Sequence, residues 1–198
     1  MNDLSKVISV VLFFCATNLP AGVKVVSETS TPARAAKLIL YSDEVSSSPY
    51  APSGWMGNQS AIKYDDKCPE NPHTGATCIK LQYSAVDKWA GIVWQDPPDD
   101  WGDKPGGHNL AGASRLSFWA RGGTGGEKVK FVFGVIKPGK AHFDTASGEM
   151  EVTLTAAWVK YSMDLAGKNL ERIKTGFGWT AAGQGKPITF YLDDIRYE

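Results

Sequence analysis

Six of the chain's seven tryptophans, Trp55, Trp89, Trp94, Trp101, Trp119 and Trp179, sit in loops or short alternating runs where a flat ring could meet a ligand. Arg121, Gln95, Asp100 and Asn109 lie near them in sequence and carry polar groups that hydrogen-bond in more than one direction. Flat rings suit the apolar C–H faces of a sugar and such polar groups suit its equatorial hydroxyls, so the set has the chemistry of a saccharide-binding surface. Two or three of these rings are expected to belong to a core instead. For Trp119 the competing expectation is that a second layer of protein covers it.

Hydrolytic chemistry would need two carboxyl groups facing each other across a cleft. Asp99, Asp100, Asp103, Asp144 and Glu149 are the candidates, with His108 and His142 as bases. None of these carboxylates lies in a strand among aromatics, where burial would tune its acidity. No G-x-S-x-G, no H-E-x-x-H and no phosphate-cradling glycine loop occurs. A noncatalytic binder therefore ranks first, a polysaccharide hydrolase or lyase second, and an adhesion domain that uses the same aromatic patch on a protein third.

Basic and acidic residues balance at 21 each, which gives no electrostatic case for nucleic acid. Near the N-terminus, Lys6 precedes an apolar run from Val7 to Ala16 that is too short to span a bilayer but suits a secretory signal. Residues 1–22 are expected to be that signal, with cleavage as late as residue 35 as the alternative, 23–36 a linker and 37–198 the domain. The residues before Cys15 lack the small side chains of a lipidation site, so the mature chain is expected to be secreted, periplasmic or at the cell surface, monomeric and without membrane insertion. Cys68 and Cys78 then remain in an oxidising compartment, and a disulfide between them is expected, worth about 2 to 3 kcal/mol. A Cys-His-Cys metal site through His73 is the lesser alternative. Asp43-Glu44, Asp65-Asp66 and Asp193-Asp194 are acidic pairs at strand ends, oxygen donors of the kind calcium uses.

Period-two alternation predicts about ten short strands: Lys37–Ser42, Ala61–Asp65, Cys78–Ser84, Trp89–Gln95, Arg115–Arg121, Lys128–Val135, Glu149–Thr155, Trp158–Leu165, Ile173–Trp179 and Ile188–Tyr197. Asn109 to Val135 reads as one hairpin turned by Gly122, Gly123, Gly125 and Gly126. Ser46–Gly57 reads as loop, Asp96–Asn109 as a long functional loop, and Leu170–Lys174 as a single helical turn. No amphipathic helix is present, and the pattern is that of an all-β sandwich or jelly roll.

The closing ITFYLDDIRYE, the central NLAGASRLSFWARG, the GIVWQ strand and WVKYSMDL together resemble secreted bacterial domains with the galactose-binding-like jelly roll, the fold of many carbohydrate-binding modules. The resemblance covers about residues 37–198. It implies an antiparallel jelly-roll β-sandwich, a polysaccharide or oligosaccharide partner, and Trp158 in the core at a strand entry. It also implies a structural Ca2+ that joins the first strand to the last through Asp193 with Asp43 or Glu44.

Overall fold

The computed structural model describes residues 37–43 and 48–198. The expected signal and linker, and Glu44, lie outside the described residues. Eleven strands follow one another: β1 (Leu38–Tyr41), β2 (Ala51–Gly57), β3 (Ile62–Cys68), β4 (Cys78–Tyr83), β5 (Trp89–Gln95), β6 (Arg115–Gly122), β7 (Lys128–Phe133), β8 (Gly148–Thr153), β9 (Val159–Asp164), β10 (Thr175–Ala182) and β11 (Ile188–Tyr197). A short 3-10 turn, Gln59–Ala61, is the one helical element among them. No helix of the described residues is long and apolar enough to cross a membrane.

The strands form two antiparallel sheets, as the alternation predicts. One runs β3-β4-β11-β6-β9, with β1 on β11; the other runs β2-β5-β10-β7-β8. Leu81, Phe118, Phe190 and Leu192 of the first face Ile92, Trp94, Phe131, Phe177 and Trp179 of the second in one continuous buried cluster. Burying so much apolar surface is the main favourable term in folding this domain. The ring of Phe118 lies 4.5 Å from Phe131 and 5.1 Å from Phe177, so the two layers interdigitate at aromatic contacts. Buried hydroxyls are satisfied where the layers meet: Tyr197 donates to the Gly176 carbonyl and Tyr50 to the Ile173 carbonyl, each at 2.7 Å.

The Asn109–Val135 segment is not a hairpin. β6 pairs with β11 and β9, whereas β7 pairs with β10 and β8, so the glycine-rich connection arches from one sheet to the other. Local alternation is the same in both arrangements, because each strand buries one face in the shared core; only the nonlocal partners differ. The arch is held by Glu127, buried at 3% exposure, whose carboxylate accepts from the Thr124 amide at 2.9 Å and the Thr124 hydroxyl at 3.1 Å.

Two further expectations change. Ala51–Gly57, read as loop from its Pro and Gly, is β2, an edge strand on β5, where proline and glycine are tolerated. Leu170–Lys174 is not helical; Ile173 instead bridges to His108. β11 carries a register shift between Asp193 and Arg196, with Asp194 at φ 50. That bulge turns two successive carboxylates to the same side, which regular alternation forbids.

Candidate functional site

The outer face of the six-stranded sheet is closed by the loop between β3 and β4. Glu70 anchors it: its carboxylate accepts from Lys80 Nζ at 2.6 Å and Tyr191 OH at 2.7 Å, and its carbonyl accepts from Arg121 Nη2 at 2.8 Å. Lys80, the first cause, and Tyr191 both hold the Glu70 carboxyl below its ordinary range. The Arg121 guanidinium lies 3.5 Å over the Tyr191 ring, a stacked cation–π contact. Trp158 donates its indole N–H to the Asn71 carbonyl at 2.9 Å. His73 stacks on Trp119 with ring centroids 3.7 Å apart and planes 18° apart.

These contacts move Trp119 and Arg121 out of the ligand set. Arg121 is 8% exposed, and Trp119 is half-buried beneath His73, the second layer that was the competing expectation for that ring. Trp158 is half-buried as well, packing beside Cys68, Cys78 and Tyr191 under this loop rather than in the sandwich interior.

The far end of the same loop meets the bulge of β11. Asp193 Oδ2 accepts from the amides of His73 at 2.9 Å and Thr74 at 3.2 Å, and Asp193 Oδ1 from the amide of Asp194 at 2.8 Å. Burial pushes the Asp193 carboxyl above its ordinary range despite those donors. Asp194 accepts from the Thr74 hydroxyl at 3.0 Å and pairs with Arg196 and His73. Asp43, just after β1, accepts from the amides of Ala76 and Thr77 and from the Thr77 hydroxyl at 2.6 Å. Those hydrogen bonds hold its carboxyl below the usual range.

Asp43, after β1, and Asp193, in β11, therefore both hold the β3–β4 loop through its backbone N–H groups. Calcium needs six or more oxygen donors converging on one point, and among the described residues no group of three or more His, Cys, Asp or Glu is placed to hold a metal. The oxygens of Asp43 and Asp193 are engaged by these amides and hydroxyls, and Glu44, the other expected ligand, lies outside the described residues. Cys68 and Cys78 face each other across the β3–β4 ladder as buried free thiols. The Cys78 thiol donates to the Cys68 carbonyl at 3.6 Å, and burial pushes its pKa up to about 12.

The long loop between β5 and β6 is structural. Asp100 is 3% exposed and accepts from the amides of Gly102, Asp103 and Lys104 at 3.1 to 3.2 Å and from Lys174 Nζ at 2.5 Å. Burial opposes its ionisation, but the Lys174 ammonium and these amides hold its carboxyl at about 2. Gln95 is buried, its amide donating to the Asp100 carbonyl at 2.8 Å and accepting from Ser53 at 3.0 Å. Asp144 is likewise taken up by Ile136, Lys174 and Thr175. Asn109 is exposed, but its side chain caps the amide of Ala111. Trp94 and Trp179 are core residues at 2% and 0% exposure, and Trp55 packs against the core edge-on to Tyr64. Of the proposed contacts, Trp89 and Trp101 remain open, at 52% and 36% exposure.

Trp89 opens β5, on the face away from the core, where it pairs with Ala182. It forms a wall of a cleft of about 820 Å³ over the outer face of the five-stranded sheet. The floor follows from register: Thr180, Lys130 and Glu151 lie side by side across β10, β7 and β8. Beside Thr180 on β5 stands Gly91, where a Cβ would come 2.4 Å from the Trp179 carbonyl and 2.8 Å from Thr180 Cγ2, so a side chain there would displace Thr180. Lys128, Gln184 and Lys186 complete the rim. On its other side Trp89 borders a second hollow of about 560 Å³ with Asn58, Asp87 and Lys88. Trp101 is not in either lining.

Sequence reading named Trp89 but none of the cleft's other lining residues, because they come from separate strands and the turn after β10. The one local signal is the row of small residues on β10, Gly178, Thr180 and Ala182, opposite the core-facing Phe177, Trp179 and Ala181.

No protein-family model matches this chain, and no curated protein matches it. Solved structures do. The family 30 carbohydrate-binding module of the cellulosomal cellulase Cel9D-Cel44B of Clostridium thermocellum superposes with a TM-score of 0.57 at 14% identity, covering 82% of this chain and 97% of that one. The family 11 module of the cellulosomal cellulase Lic26A-Cel5E of the same organism gives a TM-score of 0.54 at 12% identity, covering 83% and 95%. A family 11 module solved with a β-1,3-1,4-mixed-linked tetrasaccharide gives 0.52 at 13% identity, covering 81% and 94%. The shared feature is the fold, the jelly-roll sandwich of carbohydrate-binding modules.

Proposed function

We propose that this domain is a noncatalytic module that binds a polysaccharide or oligosaccharide in the cleft beside Trp89. The observation that carries the reading is the half-exposed Trp89 indole standing in an open cleft bordered by polar side chains. A sugar ring can lie against the indole while hydroxyls reach Thr180, Glu151 and the lysines. That family 11 and family 30 modules share the fold supports the same reading. Glu151 is the single carboxylate lining the cleft, whereas glycoside hydrolysis uses a pair.

In this reading the N-terminal segment exports the protein to the cell surface or medium, and the facing Cys68 and Cys78 thiols are oxidised there. Affinity electrophoresis through gels containing a panel of polysaccharides tests the binding. The parent protein should be retarded by at least one of them and the Trp89→Ala variant should not. No retardation on any polysaccharide would remove the proposal.

A further inference from the structure

The cleft beside Trp89 carries more positive charge than a neutral sugar needs. Its charged lining is Lys128, Lys130, Lys186 and Glu151. Lys130 is directly opposite Glu151 in the ladder and lies 3.4 Å from Glu149, so its charge is answered within the sheet. Lys128 and Lys186 are exposed and enter no ion pair among the described residues. The amide of Gln184, the group best suited to a neutral hydroxyl pair, is committed elsewhere: it accepts from the Lys128 amide and donates to the Lys128 carbonyl, both at 2.9 Å. The second hollow is balanced, with Asp87 beside Lys88. The excess is local, because the chain as a whole has a formal net charge of +0.

From this juxtaposition of an open indole with two unanswered ammonium groups we infer that the ligand is an acidic polysaccharide, its sugar ring on Trp89 and its anionic substituents on Lys128 and Lys186. The inference rests on the glycan reading of this cleft and names the class of glycan. An anionic chain gains charge-assisted hydrogen bonds from both lysines, stronger than the contacts that the hydroxyls of a neutral chain would make with the same ammonium groups. Uronate carboxylates and sulfate esters present the same charge to the site.

The test compares the full-length protein on polygalacturonate, on a sulfated galactan and on a neutral mixed-linked β-glucan, by affinity electrophoresis and by titration calorimetry at low and high NaCl. Binding should favour an acidic polymer and weaken as salt rises, since exposed charges are screened within about 10 Å at 0.1 M. The double variant Lys128→Met, Lys186→Met should bind about tenfold more weakly at low salt and lose most of the salt dependence. Lys67→Met, an exposed lysine on β3, should bind as the parent does. Preference for polygalacturonate assigns the charge to carboxylates, and preference for the galactan assigns it to sulfates. Retention by the neutral glucan that Trp89→Ala abolishes, but that salt and the lysine substitutions leave unchanged, would overturn the acidic ligand and leave the glycan reading standing. Absence of binding to all three polymers would overturn both.

Discussion

Trp89→Ala and Trp119→Ala should have opposite consequences, although both rings point away from the core on neighbouring strands of sequence pattern. Trp119 is half-buried and stacked on His73 at 3.7 Å, and its loss would leave a hollow beneath the loop that joins β3 to β4. A fully buried Trp→Ala change costs about 3 to 5 kcal/mol, so half-burial sets about 2, and losing the stacked pair adds about 1. For a domain of this size a total of about 3 kcal/mol lowers the melting temperature by roughly 6 to 12 °C. Polysaccharide retention of folded Trp119→Ala should match the parent. Trp89, 52% exposed, presents about 100 Å² of ring, worth about 2.5 kcal/mol if a sugar covers it, or about 70-fold in affinity. Its substitution should leave the melt within about 2 °C. The assays are differential scanning fluorimetry and affinity electrophoresis on the same preparations. The reasoning fails if Trp119→Ala melts like the parent but no longer binds, because the ring under His73 would then be the platform.

Other perturbations read the supporting structure. Lys174→Met leaves Asp100 buried without its ammonium and should cost about 3 to 5 kcal/mol by urea denaturation. Because the folded Asp100 carboxyl is held at about 2, below its ordinary 3.8, its contribution is present at neutral pH and is lost as pH falls through roughly 4 to 2. That part of the acid transition should be absent in Asp100→Asn. The melt should be the same in EDTA and in millimolar CaCl2, since amides and hydroxyls already occupy the Asp43 and Asp193 carboxylates; a calcium-dependent rise of several degrees would show that this latch rearranges around an ion. Mild oxidation should close Cys68 to Cys78 and raise stability by about 2 to 3 kcal/mol, reversed by reductant, with thiol titration reporting the bond.

The sequence by itself determined the fold class and most of the strands. Alternation such as Ile79, Leu81 and Tyr83 against Lys80 and Gln82 is written within a few residues, and period two is a property of one strand alone. It also named Trp89, but only as one of six candidate rings and without deciding which face of its strand turns outward. Tertiary structure alone decided which sheet each strand joined, as β6 and β7 show, because their ladder partners, such as Tyr197 for Leu116 and Trp179 for Phe131, lie far along the chain. It also decided which outward rings stay open. Trp89 and Trp119 carry the same local signal, and they differ because the loop of residues 69–77 folds back over one sheet, pinned there by Glu70, Arg121 and the β11 bulge, while the opposite sheet keeps its cleft. Exposure belongs to the packing of distant segments, so no pattern within a strand can encode it.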